Sequence, residues 1–256
     1  MDDPLASAKK KLTRAQQHSG DLETELKRFF ENQPGTNVVE VDPTGQYKLF
    51  KVRFKNSIPD QITDITYDAV HNLRDSLDHI GYGIAVASGR NNPQHTNFPF
   101  APDAAKFDQQ MRGRCKDLPD EIVSVFRSFK SYKGGNDLLW ALNKVAVTNK
   151  HMLVNPMAAA SHSMFIQNLT ISGGQVPFGI GESARWDRSK NEITVMRLPA
   201  QAQIQANFGV QIFIAFGEVE VAGGQPVDRV LRAFIGEVKR VLVAVEAEAR
   251  RIGIYN

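Results

Sequence analysis

The sequence contains a single cysteine and no long hydrophobic run, and both absences restrict what the protein can be. One cysteine, Cys115, allows no intramolecular disulfide bond and no zinc site built from cysteine pairs. No apolar stretch approaches the roughly 20 residues that a membrane helix needs, so no membrane span is expected. The first residues also lack the basic segment and apolar run of a secretory signal. These features predict a cytoplasmic protein of bacterial type.

The charge of the chain is close to balanced. Its 256 residues include 31 lysines and arginines against 28 aspartates and glutamates, a formal net charge of +3. A total this small does not require a polyanionic partner, so any contact with nucleic acid must come from a local basic patch. Hydrophobic residues make up 42% of the chain, which is ordinary for a folded protein with a sizeable core. We expect one folded unit over residues 1–256.

Hydrophobic periodicity predicts that helices and strands occupy separate parts of the chain. Apolar spacing near 3.6 indicates helices at residues 4–32, 60–87, 102–112, 119–130, 136–153 and 226–252. Alternation indicates strands at residues 38–41, 47–55, 164–171, 175–185, 192–198 and 204–221. The last helix has a wide apolar face and should return to the helical layer. The predicted fold is α+β, with a helical core (4–32, 59–153 and 226–252) and a segregated antiparallel β portion (37–55 and 162–221).

The helix predicted at residues 60–87 carries a polar face with a distinctive composition. At 100° per residue, one continuous arc contains Tyr67, His71, Asn72, Arg74, Asp75, Asp78, His79 and Tyr82. A polar helix face is usually just a solvated surface, and such surfaces favour lysine, glutamate and glutamine. Residues 67–82 contain none of these three types. The residues present instead titrate, coordinate metals or stack, so this arc is the candidate functional site.

A second helix supplies residues that are expected to complete the site. The segment 136–153 is apolar on nearly all sides, which predicts burial, yet it contains Lys144, Lys150 and His151. A buried lysine or histidine needs a partner. The carboxylates of Asp75 and Asp78 are natural partners if the two helices pack together. Such contacts form either a structural ion network or part of a catalytic site.

The segment Arg74-Asp75-Ser76-Leu77-Asp78-His79 resembles the R-x(4–6)-H motif of the HEPN superfamily of helical-bundle proteins. A polar residue directly after the arginine is typical of HEPN ribonucleases. The surrounding helix, the Phe98-Pro99 element and the Lys150-His151 pair are similar to those of a group of bacterial proteins, so the resemblance covers residues 67–153. It implies a HEPN-like antiparallel bundle and a homodimer that pairs these helices. Toxin and phage-defence roles are common in that superfamily.

The resemblance also implies a chemistry: metal-independent cleavage of RNA, without a cofactor, by attack of a 2′-hydroxyl on the adjacent phosphate. His79 would act as general base or acid, Arg74 would hold the phosphate, and Asp75 would orient one of them. The supporting residues would be His71, Asp78, Tyr82, Lys144, Lys150 and His151. Contacts to the RNA backbone would come from Arg112, Arg114, Lys116, Arg127, Lys130 and Lys133.

The same motif spacing occurs a second time in the chain. Arg90 and His95 are separated as Arg74 and His79 are, but Pro93 lies between them and places this copy in a loop. Only the helical context therefore favours the first copy.

A metal site is the first alternative to a ribonuclease. His71, Asp75 and His79 lie at i, i+4 and i+8 on one helical ridge, and His151 would be a fourth ligand. The outer pair lie about 12 Å apart at 1.5 Å per residue, so at most two adjacent members can share one ion.

The second alternative is a non-catalytic scaffold that dimerises and binds a partner. In such a protein the charged residues form a structural ion network of Arg74, Asp75, Asp78 and Lys150. Bound metal, RNA cleavage that resists EDTA, or neither would separate the three functions.

Overall fold

A computed structural model describes residues 3–32, 35–147, 157–160, 165–172, 185–187, 189–201, 203–209, 212–216 and 222–255. Lys150 and His151 lie outside the described residues, as does nearly all of the strand predicted at 175–185.

The described residues form six helices and eight strands. The helices are α1 (Ala6–Glu31), α2 (Asp60–Ala87), α3 (Ala104–Arg114), α4 (Asp120–Ser128), α5 (Asp137–Val147) and α6 (Val227–Arg251). The strands are β1 (Gly35–Val41), β2 (Tyr47–Phe54), β3 (Met157–Ala160), β4 (Phe165–Ser172), β5 (Arg185–Asp187), β6 (Glu192–Pro199), β7 (Gln203–Gly209) and β8 (Ile212–Ala215). The protein is therefore α+β, as predicted.

The hairpin β1–β2 belongs to a four-stranded antiparallel sheet with the order β1-β2-β6-β5. Its turn is closed by Asp42, whose carboxylate accepts hydrogen bonds from the backbone amides of Gln46 and Tyr47. Gly45 supplies the left-handed backbone that the turn requires, with φ +72°. Strand β6 then pairs with β2, with a shift of register between Phe50 and Lys51. The N-terminal hairpin and the C-terminal strands thus build one sheet.

The strand predicted over residues 204–221, for which a bulge near Gly209 or Gly217 was expected because of its length, is divided in the structure. Strand β7 pairs with β4, whereas β8 pairs with the short strand β3, so the two halves belong to different two-stranded sheets. Alternation along the sequence reports which side chains share a face, but it does not report which strand is the neighbour. Strand β7 ends at Gly209, a residue type that weakens strands.

Helices α1 and α2 pack side by side in opposite directions, and α6 lies across both. Small residues line the α1–α2 contact, where Ser76 Oγ donates a buried hydrogen bond of 2.9 Å to the carbonyl oxygen of Ala8. The apolar arc of α2 is fully buried, as are Phe234 and Val238 of α6. The last helix therefore returns to the helical layer, as predicted. None of the helices within the described residues has the length and hydropathy that a membrane crossing requires.

Candidate functional site

The polar arc of α2 divides into two sectors that contact different parts of the protein. Arg74 and Asp78 contact α5 and the segment that follows α2. Asp75 and His79 contact α1. The two residues of the R-x4-H motif therefore lie in different sectors, because a separation of five residues corresponds to about 140° around a helix.

Arg74 is held on several sides. Its Nη1 donates to the Asp78 carboxylate, and its Nε donates to Oδ1 of Asn143 on α5 at 2.9 Å. Its guanidinium lies over the Phe100 ring, 4.6 Å from the ring centroid. Only 17% of the side chain is exposed. Arg74 therefore braces α2 against α5 and the Phe100 segment. The phosphate-holding role that the resemblance implies stays a prediction.

Asp78 connects the same helix to the Phe98-Pro99 element. Its Oδ1 accepts a hydrogen bond of 2.9 Å from the backbone amide of Phe98, whose ring is buried against Phe100 and Phe126. Within the described residues the partners of the Asp78 carboxylate are Arg74 and this backbone amide, and Lys144 is not among them. The expected contact with Lys150 lies outside the described residues. A hydrogen bond between Phe98 and Asp78 thus joins the Phe98-Pro99 element to the helix that carries the R-x4-H motif.

His79 forms a hydrogen bond with α1. Its Nδ1 lies 2.7 Å from Ser7 Oγ, while its Nε2 has no hydrogen-bond partner within the described part of the chain. The ring is half-buried. A neutral imidazole carries one donor and one acceptor nitrogen, so a bond at Nδ1 orients the ring and leaves Nε2 to exchange a proton with a ligand.

Cations of α1 lie beside His79. Lys11 Nζ donates to Asp75 Oδ2 at 2.8 Å, and the two side chains are 35% and 46% exposed. Lys10 and Arg14 are exposed and fall within the same arc of α1 as Ser7 and Lys11. Asp75 therefore orients Lys11 rather than the histidine or arginine of its own helix.

A glycine on α2 allows this approach of the two helices. A Cβ atom at Gly83 would lie 2.1 Å from the carbonyl oxygen of Pro4, which no side chain tolerates. The first turn of α1 is also tied to α6, because Lys9 donates to Asp3 at 2.8 Å and to Glu246 at 2.9 Å. Sequence analysis did not identify Ser7 or Lys11, since nothing local indicates which turn of α1 meets which turn of α2.

The remaining arc residues do not assemble a metal site. The His71 ring stacks on Tyr67 with centroids 3.9 Å apart, and its Nδ1 lies 3.2 Å from the Tyr67 carbonyl oxygen. Asp75 and His79 contact Lys11 and Ser7 instead of each other. Within the residues that the structure describes, no three histidine, cysteine or acidic side chains are grouped to hold an ion. The proposed fourth ligand, the histidine at position 151, lies outside them.

Helix α5 exposes the face that was expected to be buried. Lys144 is exposed, with its Nζ 5.6 Å from the centroid of the Trp140 ring, and Val147 is 64% exposed. The buried face of α5 is formed by Leu139, Trp140, Ala141, Leu142 and Val145. The high hydropathy of the segment 136–153 therefore predicted more burial than α5 has. The Lys144 side chain forms no ion pair with Asp75 or Asp78 of α2.

The residues predicted to contact RNA fall into different settings. Arg112, Arg114, Lys116, Lys130 and Lys133 are exposed. Arg127 is paired with Asp108, a contact that lowers the pKa of that carboxyl. The Lys133 ammonium lies over the Trp140 ring at 5.8 Å. Lys116 lines an open polar cavity, together with the second copy of the motif spacing.

A separate charged cluster lies on the sheet and was not predicted. Lys51, which is 7% exposed, donates to Glu192 at 2.7 Å and to Glu40 at 2.8 Å. Arg53 donates to the same two carboxylates. Hydrogen bonds from Lys51 and Arg53 lower the pKa of Glu40 to about 2. Burial opposes the charge of Glu192, yet the hydrogen bonds from the same two cations still lower its pKa.

The one cysteine is not a candidate nucleophile. Cys115 is 2% exposed, and burial raises the pKa of its thiol to about 12 despite the nearby arginines. A thiol with so high a pKa carries almost no thiolate at neutral pH.

The geometry thus brings together Ser7, Lys11, Asp75 and His79 and assigns Arg74 and Asp78 to packing. Comparison of the chain with protein-family models, curated protein sequences and solved structures gives no match.

Proposed function

We propose that the protein cleaves RNA by metal-independent, HEPN-like chemistry in which His79 transfers the proton. The observation that carries this proposal is the 2.7 Å hydrogen bond between Ser7 Oγ and His79 Nδ1, which orients the imidazole and leaves Nε2 open. Histidine titrates near neutral pH, so it exchanges protons with a hydroxyl group under physiological conditions. The reaction belongs in the cytoplasm, where RNA is abundant.

The proton balance of the reaction assigns two tasks to the imidazole. Nε2 of a neutral His79 accepts the proton of a 2′-hydroxyl while the 2′-oxygen forms a bond to phosphorus. The bond from phosphorus to the 5′-oxygen breaks, and that oxygen takes a proton from an imidazolium. In a homodimer, His79 of a second copy supplies this second group. The products are a 2′,3′-cyclic phosphate and a free 5′-hydroxyl.

In this mechanism the cation that stabilises the phosphate comes from α1. Arg74 is already engaged by Asp78 and Asn143, whereas Lys11 is held, among the described residues, by one exposed carboxylate. Exposed ion pairs contribute little free energy, about 0–1 kcal/mol, so a phosphate oxygen can compete with Asp75 for the Lys11 ammonium.

The test is cleavage of single-stranded RNA in excess EDTA. The parent protein should produce 2′,3′-cyclic phosphate ends, and His79→Ala should lose the activity by about 100-fold or more, the scale of a lost general base. Gln61→Ala is the matched control, because Gln61 is an exposed polar residue of the same helix that lies outside the polar arc. Cleavage that survives in His79→Ala, or that EDTA abolishes, would contradict the proposal.

A second function, a non-catalytic dimerising scaffold, is favoured by the internal pairing of Arg74 with Asp78 and of Asp75 with Lys11. These pairs give the arc a bracing role that needs no substrate. A folded dimer that leaves RNA intact under all conditions of the cleavage test would select this function.

A further inference from the structure

The loop that follows α2 encloses an open cavity of about 630 Å³. It is lined by residues 89–95, Lys116 and Asp117. The loop has a defined shape: Gly89 and Asn92 adopt left-handed backbone conformations with φ +84° and +50°. The Gln94 amide donates to the Asn92 carbonyl oxygen at 2.8 Å. The cavity is therefore built by an ordered turn at the end of the site helix.

The lining of this cavity is basic and polar. It includes Arg90, His95 and Lys116, all exposed. Its one carboxylate, Asp117, accepts a hydrogen bond of 3.1 Å from Thr96 Oγ1. Within the described ranges, neither Arg90 nor Lys116 forms an ion pair.

Two exposed arginines differ from Arg90 in this respect, whereas Arg112 and Arg114 are exposed and, like Arg90, form no ion pair within the described residues. Arg127 is paired with Asp108, and Arg232 bridges Glu23 and Asp228. Arg90 and Lys116 thus present two cations without an ion pair in the described part of the chain, in a concave setting that has one carboxylate, Asp117. Such a setting can bind a phosphate group.

An exposed stripe of α2 leads from His79 to this cavity. Tyr82 and Val86 are each 45% exposed and follow His79 on the same side of the helix. His79 and Val86 lie about 10 Å apart along the axis at 1.5 Å per residue. Arg90 follows four residues after Val86, beyond the end of α2. A few nucleotides of single strand cover such a span, and an exposed tyrosine ring is a stacking surface for a base.

We propose that the cavity formed by Arg90, His95 and Lys116 binds a backbone phosphate of the single-stranded RNA whose cleavage site lies at His79, with a base stacked on Tyr82 between them. This inference rests on the proposed function for the identity of the ligand. In this proposal Arg90 and His95, which repeat the R-x4-H spacing, bind the RNA and take no part in its cleavage.

The experiment measures equilibrium binding of a fluorescent single-stranded oligoribonucleotide by anisotropy, on the full chain carrying His79→Ala so that nothing is cut. Adding Arg90→Ala and Lys116→Ala should weaken binding by about tenfold or more, because two charged contacts are lost. The slope of log affinity against log salt should fall by about 1.4, since each contact to single-stranded nucleic acid contributes about 0.7. Lys27→Ala/Arg28→Ala is the matched control, with the same change of charge at the far end of α1.

The stacking contact has its own pair of variants. Tyr82→Leu should weaken binding by about tenfold, whereas Tyr82→Phe should retain it, because the ring and not the hydroxyl supplies the contact. Circular dichroism of each variant checks that the fold is intact.

Unchanged affinity and salt slope in the Arg90→Ala/Lys116→Ala variant would overturn the inference, as would an equal loss in the control variant or no RNA binding at all. The proposed function fails separately: RNA that binds through the cavity but is never cut by the parent protein supports the inference and contradicts the ribonuclease. RNA that is cut with an unchanged KM when Arg90→Ala and Lys116→Ala are introduced into the parent protein, with His79 intact, does the reverse.

Discussion

Two charged clusters of this protein, one on the sheet and one on the helices, differ in how completely their charges are buried and paired. On the sheet, Lys51 and Glu192 are 7% and 3% exposed, and both also contact further charged residues. On the helices, Lys11 and Asp75 are 35% and 46% exposed, and within the described part of the chain neither forms a second ion pair. Each cluster joins residues that are far apart in the chain, so sequence distance does not distinguish them.

This difference indicates what each cluster can do. A buried ion pair gains little by itself, but losing one partner is costly because the remaining charge is left without solvent. An exposed pair costs little to break, so its members stay available to a ligand. The sheet cluster therefore fits a structural role, whereas the helical cluster, with the open Nε2 of His79 beside it, fits a binding or catalytic role.

The largest effect is expected from breaking the sheet cluster. Lys51→Ala should lower the free energy of unfolding by about 3 kcal/mol, because Glu192 is left buried with one of its two cations missing. Urea-induced unfolding measures the loss. The double variant Lys51→Met/Glu192→Met should recover part of it, since no unpaired charge then remains. A loss below about 1 kcal/mol, the range of exposed ion pairs, would contradict a structural role for the sheet cluster.

A smaller loss is expected at Arg74, which lies on α2 but resembles the sheet cluster in its pairing. Arg74→Ala should cost about 2 kcal/mol, because it removes the cation paired with Asp78 and the donor to Asn143, and it uncovers Phe100. Arg74→Lys should not restore stability, since an ammonium lacks the planar fork and the stacking face. Thermal unfolding of both variants provides the measurement. Unchanged stability together with lost RNA cleavage would instead make Arg74 catalytic.

Acid is expected to destabilise the sheet cluster, because it protonates Glu40. Glu40 has a folded-state pKa lowered from an ordinary 4.5 to about 2 by its bonds to Lys51 and Arg53. A lowered pKa contributes stability that is fully present above pH 4.5 and is lost as the pH falls through 2. Glu40→Gln should therefore be less stable than the parent at pH 6, and the difference should shrink between pH 4.5 and 2. A difference that is constant with pH would show that the carboxylate charge contributes nothing.

Helix α2 shows how much of the site is readable from the sequence. Its bounds were predicted at residues 60–87 and are the same in the structure, because the apolar period is unbroken and Pro59 precedes the first turn. The polar arc was identified too. Its division into a packing sector and an α1-facing sector was not, since it depends on where Asn143 and Ser7 lie in space.

The sheet cluster shows what a local pattern cannot reveal. Lys51 and Glu192 are 141 positions apart, and they meet because β2 pairs with β6 in a register that shifts after Phe50. Alternation predicts that Phe50, Val52 and Phe54 share a face, and in the structure Val52 and Phe54 are buried whereas Phe50 is half-buried. It also placed Lys51 on the opposite face, where a charged residue is normally solvated, so nothing in the pattern suggested a buried pair.

The smallest change in stability is expected at Lys11, and it tests the helical cluster directly. Lys11→Ala should lower the free energy of unfolding by at most about 0.5 kcal/mol, because its 2.8 Å bond to Asp75 is exposed. If Lys11 serves the phosphate, the same variant should raise the KM for RNA severalfold. Lys27→Ala, which removes an exposed cation paired with Glu31, should change neither quantity. A stability loss as large as that of Lys51→Ala would mean that both clusters are structural, and the argument that the helical cluster is open to a ligand would no longer stand.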